Sequence, residues 1–563
     1  MRNILTLLLL SLTLSAGAVS KDGLNLRWAS TGSHCVEGAT ESLEFQGKAF
    51  GYSAWRGERV CAQAVVSSSV DLTDVSLSVS DLRNGKNVIP AENITLQFVS
   101  FVTSDLLDTT RFSQCGYRED KSEWGEVQVA DILDINETVS VPAGRMQPVW
   151  ITVSVPEEAA PGKYSGRLTV SAVNAKPKSI PIELRVVNHV LPSVHDWTFH
   201  LDIWQNPYAV ARIENVQLWS EEHFEAMRPV MSLLAASGQK SVTATLINRP
   251  WNGQTYDAFG SMVTKIRRID GSWLFDYTIF DRWVEFMFSL GIDKQINCYS
   301  MIPWKMEFDF FDQATGLNTS VKAAAGSPEY EEYWGRFIKD FANHLRTKGW
   351  FEKTMIAMDE RPLDAMKAVL AIIRKYEPDF KVSLAGNYHE PVIYDVSDFS
   401  EAFGSKAEFP EDVKIQRKEL GLLTTFYTCC AESYPNTFVI SDPDESTWLG
   451  WFAAAENYDG YLRWAYNSWP ENPLTDARFI SWPAGDCFIV YPGGRSSVHF
   501  AKLTEGIQDY EKIHILKQEW ENSGDQESLD RLSAILDEFT VEKILSEGAG
   551  KAVKTAKSFL SEH

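Results

Sequence analysis

The chain is short of positive charge. Its 53 Lys and Arg stand against 76 Asp and Glu, a formal charge of −23 over 563 residues. No global basic surface is left to neutralise phosphates, so nucleic acid is not an expected partner, and a neutral or cationic ligand fits better. The short signatures of several common chemistries are missing too: there is no GxSxG elbow, HExxH zinc helix, GxxxxGK(S/T) phosphate loop or GxGxxG fingerprint. The seven cysteines include no CxxC spacing, and neither a metal nor a cofactor is expected. Beyond the N-terminus no apolar run is long enough to span a bilayer, which excludes an integral membrane segment from the expectation.

The first residues, MRNILTLLLLSLTLSAGAVS, combine one Arg, an apolar stretch too short for a span and small residues around Ala16-Gly17-Ala18. They predict a signal peptide over 1–18 and an exported protein, periplasmic or secreted. In that compartment disulfides are permitted, and Cys35 with Cys61 is the first pairing to test, while Cys298, Cys429 and Cys487 read as small apolar core residues.

A 44% hydrophobic share with 19 Trp, 19 Tyr and 30 Phe indicates well-packed globular material in more than one domain. Over 19–192, short alternating strands such as PVWITVSV and YSGRLTVSA are separated by Pro, Gly and Asn turns, which predicts an immunoglobulin-like β-sandwich. The rhythm then changes to strand and helix in alternation. Eight candidate strands, at 198–204, 241–248, 293–301, 353–360, 381–389, 422–430, 459–469 and 487–493, predict a (β/α)8 TIM-like barrel over 193–524. A doubly wound open sheet is the alternative. The amphipathic end of the chain, 525–563, predicts a helical cap.

Asp359 and Glu360 are adjacent at the end of the apolar run 353–362, just before Pro362 opens a helical pattern. A strand-to-helix corner of this kind is where barrel enzymes keep their catalytic groups. The other strand ends predict a mouth rich in rings and amides. Asp202 and Trp204 come from the first strand, Asn248, Arg249 and Tyr299 from the next two, and Asn387, Tyr388 and His389 from the fifth. Tyr427 follows the sixth, Trp464, Tyr466, Asn467 and Trp469 the seventh, and Tyr491 the last. Flat aromatic faces match the C–H faces of pyranoses, and Asn, Asp, Arg and His match their hydroxyls, so the expected partner is a glycan.

Most glycosidases flank the sugar with two carboxylates ~5–9 Å apart. Neighbours on one strand do not easily do so. They suit a substrate whose own 2-acetamido oxygen attacks C1, with Glu360 as the acid and Asp359 holding the acetamide. TMIAMDERP, the segments 270–292 and 459–473, and GDCFIVYPGGRSSVHFAKLTEGIQDYE (485–511) together resemble glycoside hydrolase family 123 over most of the chain. The resemblance implies a β-sandwich followed by a catalytic barrel and exo-acting β-N-acetylgalactosaminidase activity by substrate-assisted, retaining hydrolysis. It also implies Glu360 as acid/base and Asp359 as the acetamide-stabilising residue. In such a mechanism a tyrosine commonly braces the acetamide carbonyl, and Tyr427 and Tyr466 are both candidates. The competing readings are a retaining glycosidase with a carboxylate nucleophile, for which Asp202, Glu390 and Glu471 are available, and a non-catalytic glycan-binding protein.

Overall fold

A computed structural model describes residues 23–39, 42–47, 50–107, 113–404 and 410–563. The expected signal peptide lies outside the described residues. The N-terminal half is β-rich. Leu24–Ala29, Arg59–Ser68, Met146–Ser154, Ile94–Ser104 and Val127–Leu133 form one sheet in that spatial order, and Ser496–Ser497 adds a late edge. A second sheet is built around Ala175–Val190 and Gly162–Ala172. Inward side chains such as Trp28, Val66, Phe98 and Ile151 meet Leu168, Val170, Leu184 and Val186 between the sheets. The strands alternate because only one face of each can share that core. The pairing of Phe50–Arg56 with Ala175–Val190 is parallel, amid mostly antiparallel neighbours.

The expected Cys35–Cys61 bridge does not form. Both are free thiols in one small apolar cluster with Val65, Val99 and Trp150, and burial holds the Cys61 thiol up at about 11. The disulfide instead joins Cys115 to Cys430, 315 residues apart in sequence with Cα atoms 4.8 Å apart.

The C-terminal half is a nearly closed barrel of eight parallel strands: β1 His200–Ile203, β2 Ser241–Thr245, β3 Gln295–Tyr299, β4 Thr354–Asp359, β5 Lys381–Gly386, β6 Asp398–Ala402, β7 Leu423–Tyr427 and β8 Gly460–Arg463. From β2 onward each strand pairs with its successor, and β8 pairs with β1. That order rules out the open doubly wound sheet. The seam between β1 and β2 is thin, closed by the bridge of Leu201 with Gln239 and by Lys240 N donating to Leu201 O at 2.9 Å. Helices cover the outside. In Pro328–Lys348, Ser327 caps the first turn, proline occupies it, and Gly349 ends the helix in the left-handed region at φ 72°. Its buried Tyr330, Trp334, Phe337, Ile338, Phe341 and Leu345 recur at helical spacing.

Two strands differ from expectation. DFSEA, now β6, carries no apolar pattern because polar groups on both of its faces meet polar partners: Asp398 accepts from Gln295 Nε2 at 2.7 Å and Glu401 from Tyr458 OH at 2.7 Å. The run 487–493 is buried but is not a barrel strand; Phe488 bridges antiparallel to Asn467. A four-stranded sheet of Thr264–Arg267, Trp273–Asp276, Glu307–Asp312 and Leu317–Lys322 is inserted after β2 and β3.

The two halves interlock. The helix Val498–Ser523 runs between them and is buried on nearly every side over Val498–Ile513, with its last turns reaching solvent. Arg59 N donates to Gln508 Oε1 and Gln508 Nε2 returns a bond to Arg59 O, both at 2.9 Å. His499 and Tyr491 each contact the Asp131 carboxylate at 2.8 Å, and Arg495 pairs with Asp134 at 2.9 Å. Gln526–Leu536, Val541–Glu547 and Gly550–Leu560 follow as short helices, and Lys557 reaches back to Asp509 at 3.0 Å.

Candidate active site

A cavity of about 360 Å³ opens at the C-terminal ends of the barrel strands. Asp359, the last residue of β4, and Glu360 lie on one side of it. Glu360 N donates to Ala385 O on β5 at 2.7 Å, so the corner after β4 is pinned to the next strand. Glu360 sits at φ 48°, a conformation that costs a non-glycine residue ~1–2 kcal/mol and therefore suggests a geometric demand at this corner.

The carboxyl groups have separate partners. Trp304 Nε1 donates to Asp359 Oδ2 at 3.3 Å, and Tyr427 OH donates to Glu360 Oε1 at 2.9 Å. Burial and the neighbouring Glu360 charge push Asp359 up to about 7, while the Trp304 N–H and the Arg361 charge pull against that rise. Asp359 therefore keeps its proton up to about neutral pH. Arg361 stacks over the Trp304 ring at 4.6 Å and returns a hydrogen bond to Asp359 O at 2.5 Å. Burial with the Glu360 charge beside it raises the Tyr427 phenol, which keeps its proton available to bond.

Of the expected mouth residues, Trp204, Tyr427 and Trp464 line the same cavity. Trp204 stacks on Trp251 with centroids 5.0 Å apart and packs on Tyr299 at 4.6 Å, forming an aromatic floor. Trp464 meets Trp482 edge to face at 6.0 Å. Three expected binding residues lie elsewhere, because the chain after β8 turns back into the protein. Tyr466 is fully buried and its OH donates to Val230 O at 2.7 Å. Asn467 exchanges hydrogen bonds with the Asn206 backbone at 2.8 and 2.9 Å, and Trp469 Nε1 donates to Val490 O at 2.7 Å. These side chains fasten the loop. Tyr491, bonded to Asp131, is equally interior.

Asn387, Tyr388 and His389 occupy the loop after β5, outside the cavity lining. His389 Nε2 contacts Arg361 O at 3.3 Å and so supports the corner from behind. Asp202 is buried below the floor, where Asn297 Nδ2 donates to it at 2.8 Å. Neither Glu390 nor Glu471 lines the cavity.

Several lining residues were not anticipated: Trp304, 43% exposed, Gln254, Trp482, Asp486 and the Cys115–Cys430 disulfide. Trp304 could have been found five residues past the end of β3. Asp486 could not, since taking 487–493 for the eighth strand puts it at the wrong end of the barrel. Among the described residues no group of three or more His, Cys, Asp or Glu is arranged to hold a metal ion.

The arrangement is a concave, ring-lined pocket with one proton-bearing acidic pair at its wall. The family model for the glycoside hydrolase 123 catalytic domain matches residues 204–516, and that for the glycoside hydrolase 123 N-terminal domain matches 28–172. The chain belongs to glycoside hydrolase family 123. The family 123 fold is seen again in a solved glycoside hydrolase from Clostridium perfringens, described in terms of glycolipid glycan hydrolysis. It is 27% identical, with a TM-score of 0.85 over 96% of this chain and 98% of that one. A Bacteroides ovatus GH5 xyloglucanase is far more remote, 9% identical with a TM-score of 0.30 over 84% of this chain and all of that one, and carries no weight. No functionally curated protein matches the chain. As a member of family 123 the protein has a glycan as its substrate class, and among the described residues no helix is long and apolar enough to cross a membrane.

Proposed function

We propose that the protein is an exo-acting β-N-acetylgalactosaminidase that removes terminal β-linked N-acetylgalactosamine by substrate-assisted, retaining hydrolysis. The observation that carries this reading is the adjacency of Asp359 and Glu360 at one wall of a pocket of single-sugar scale, each with its own hydrogen-bond donor. When substrate binds, the proton held by Asp359 passes to Glu360; in the first step the acetamide carbonyl oxygen bonds to C1, the C1–O bond to the aglycone breaks, and Glu360 gives that proton to the departing oxygen. Asp359 accepts from the acetamide N–H, which becomes positively charged as the ring closes. In the second step Glu360 takes a proton from water as that water attacks C1, the ring reopens, and the original configuration is restored. Tyr427 is the tyrosine that lines the cavity, so it rather than Tyr466 is assigned to the acetamide carbonyl.

The Clostridium relative makes glycolipid glycans the first natural substrates to try. Export to the periplasm or outside the cell belongs to the same proposal, and a disulfide at the pocket wall is in keeping with it. A second reading, a carboxylate nucleophile, is favoured by one observation: Asp486 also lines the cavity.

Aryl β-N-acetylgalactosaminide, the matched N-acetylglucosaminide and the β-galactoside without the acetamide separate these readings. Turnover of the first, inertness of the third and strong inhibition by a thiazoline mimic of the cyclised intermediate are expected. A fluorosugar trapped covalently on any carboxylate overturns substrate assistance.

A further inference from the structure

Asp486 is a carboxylic acid with 1% exposure whose Oδ2 accepts no hydrogen bond, and it lines the cavity that holds the acidic pair. Buried polar atoms in folded proteins are nearly always paired, and a buried acceptor left alone costs ~1–3 kcal/mol. Its nearest cation does not satisfy it. Arg463 spends its N–H groups on Thr437 Oγ1 at 2.7 Å and on the carbonyls of Ala465, Gly485 and Phe488. Burial accordingly pushes Asp486 up to about 6, with the Arg463 charge and the Trp464 indole pulling it back.

The loop that presents this oxygen is built to hold it still. Gly485 is at φ 91°, and a Cβ there would meet Val439 N at 2.7 Å, so only glycine lets the loop approach that backbone. Ala484 O accepts from Val439 N at 2.9 Å, Ala484 N donates to Asp105 Oδ1 at 3.0 Å, and Asp486 N donates to Pro483 O at 3.0 Å.

A carboxylate nucleophile would have to stand about 5 Å from the acid. Asp359 ends β4 with Glu360 next to it, whereas Arg463, the last residue of β8, holds Gly485 O beside Asp486, and β4 and β8 stand across the barrel from each other. The carboxylate therefore stands at a different edge of the pocket from the C1 and C2 end that the acidic pair grips. What its Oδ2 lacks is a donor, and a pyranose offers hydroxyls.

We propose that Asp486 is a substrate-binding residue whose free Oδ2 accepts a hydrogen bond from O4 or O6 of the terminal sugar, making it a determinant of which sugar the pocket accepts. This rests on the glycosidase reading of the cavity, though not on the acetamide acting as nucleophile.

The test compares wild type and Asp486→Asn on aryl β-N-acetylgalactosaminide and its 4-deoxy and 6-deoxy forms, with the same three sugars run as plain galactosides. Which series turns over reports on substrate assistance; which deoxy position falls silent reports on Asp486. Hydrogen bonds to charged groups predict a 10- to 150-fold loss in kcat/KM for Asp486→Asn on the parent sugar, and under 3-fold on the analogue lacking the partner hydroxyl. Wild type alone should discriminate against that analogue by at least 10-fold, a reading available even if the variant does not fold. Equal loss on all three sugars, no discrimination by wild type, or a fluorosugar adduct on Asp486 would each overturn the proposal.

Discussion

The two walls of the pocket are made in different ways. Asp359 and Glu360 sit on the end of one barrel strand, and everything that aims them is close by: the β4 backbone, the bond from Glu360 N to Ala385 O, and Arg361 and Trp304 in the neighbouring loops. The other wall is assembled from distant pieces. Cys115 comes from the N-terminal half, Cys430 from the loop after β7, and Trp482 and Asp486 from beyond β8. Gln114 N donates to Cys430 O at 2.7 Å, and Arg118 Nη2 donates to Trp482 O at 2.7 Å. Arg118 is held by a fully buried pair with Asp105 at 2.6 Å. Chemistry is on the strand; the shape of the bound sugar's surroundings is set by contacts that no local sequence encodes.

The most drastic way to break this comparison is to remove the N-terminal half. A chain starting near Ser193 loses Cys115 from the pocket and strands His499, Arg495 and Lys512 without Asp131, Asp134 and Glu58. A buried charge stripped of its partner typically costs ~3–5 kcal/mol. We expect this truncation to be insoluble or inactive; a soluble, fully active barrel would show that the second wall has no part in the site. Next in size is Glu360→Gln, expected to lower turnover by about 10²–10⁴-fold on glycosides with poor leaving groups and far less on activated aryl glycosides. Equal loss on both would point to another acid.

How much of this was legible follows from the same division. The acidic pair could be read because an apolar strand, two carboxylates and a helix-opening Pro362 are contiguous. The parallel barrel could be read from the alternation of strand and helix, except at β6, where Asp398 and Glu401 are buried against polar partners and no apolar period exists. At 487–493 the opposite happened: burial without barrel pairing produced an apolar run that mimics a strand. Tyr466, Asn467 and Trp469 have the residue types of a sugar site, yet their polar atoms are consumed by backbone. The disulfide joins residues 315 positions apart, and nothing in the spacing of seven cysteines selects that pair.

Cys115→Ser sharpens the comparison at intermediate size. Losing a bridge that closes so long a loop should cost ~2–5 kcal/mol of stability, read as a lower thermal midpoint. Because Cys115 and Cys430 touch the cavity but stand apart from the proton-bearing pair, KM should rise several-fold with little change in kcat. A fall in kcat with KM unchanged would mean that the bridge aims the acid, and the walls would then not be separable.

The smallest effect concerns the strand wall alone. Trp304 donates to Asp359 Oδ2, and a donor to a carboxylate favours its charged form. Asp359 already stands at about 7 because burial and the Glu360 charge oppose ionisation, with the Trp304 bond working the other way. Trp304→Phe keeps a ring beside Arg361 and deletes only that donor, so the proton should be held more tightly and lost at higher pH. Since the first step needs one proton on the pair, kcat/KM of wild type should fall as pH rises through about 7. In Trp304→Phe that alkaline limb should move upward, by about half a unit to one unit for a hydrogen bond worth ~1 kcal/mol. A pH–rate profile on an aryl substrate reads it directly. A downward shift would mean that the indole acts through something other than its bond to Asp359, and the electrostatic account of the acidic wall would fail at its best-defined contact.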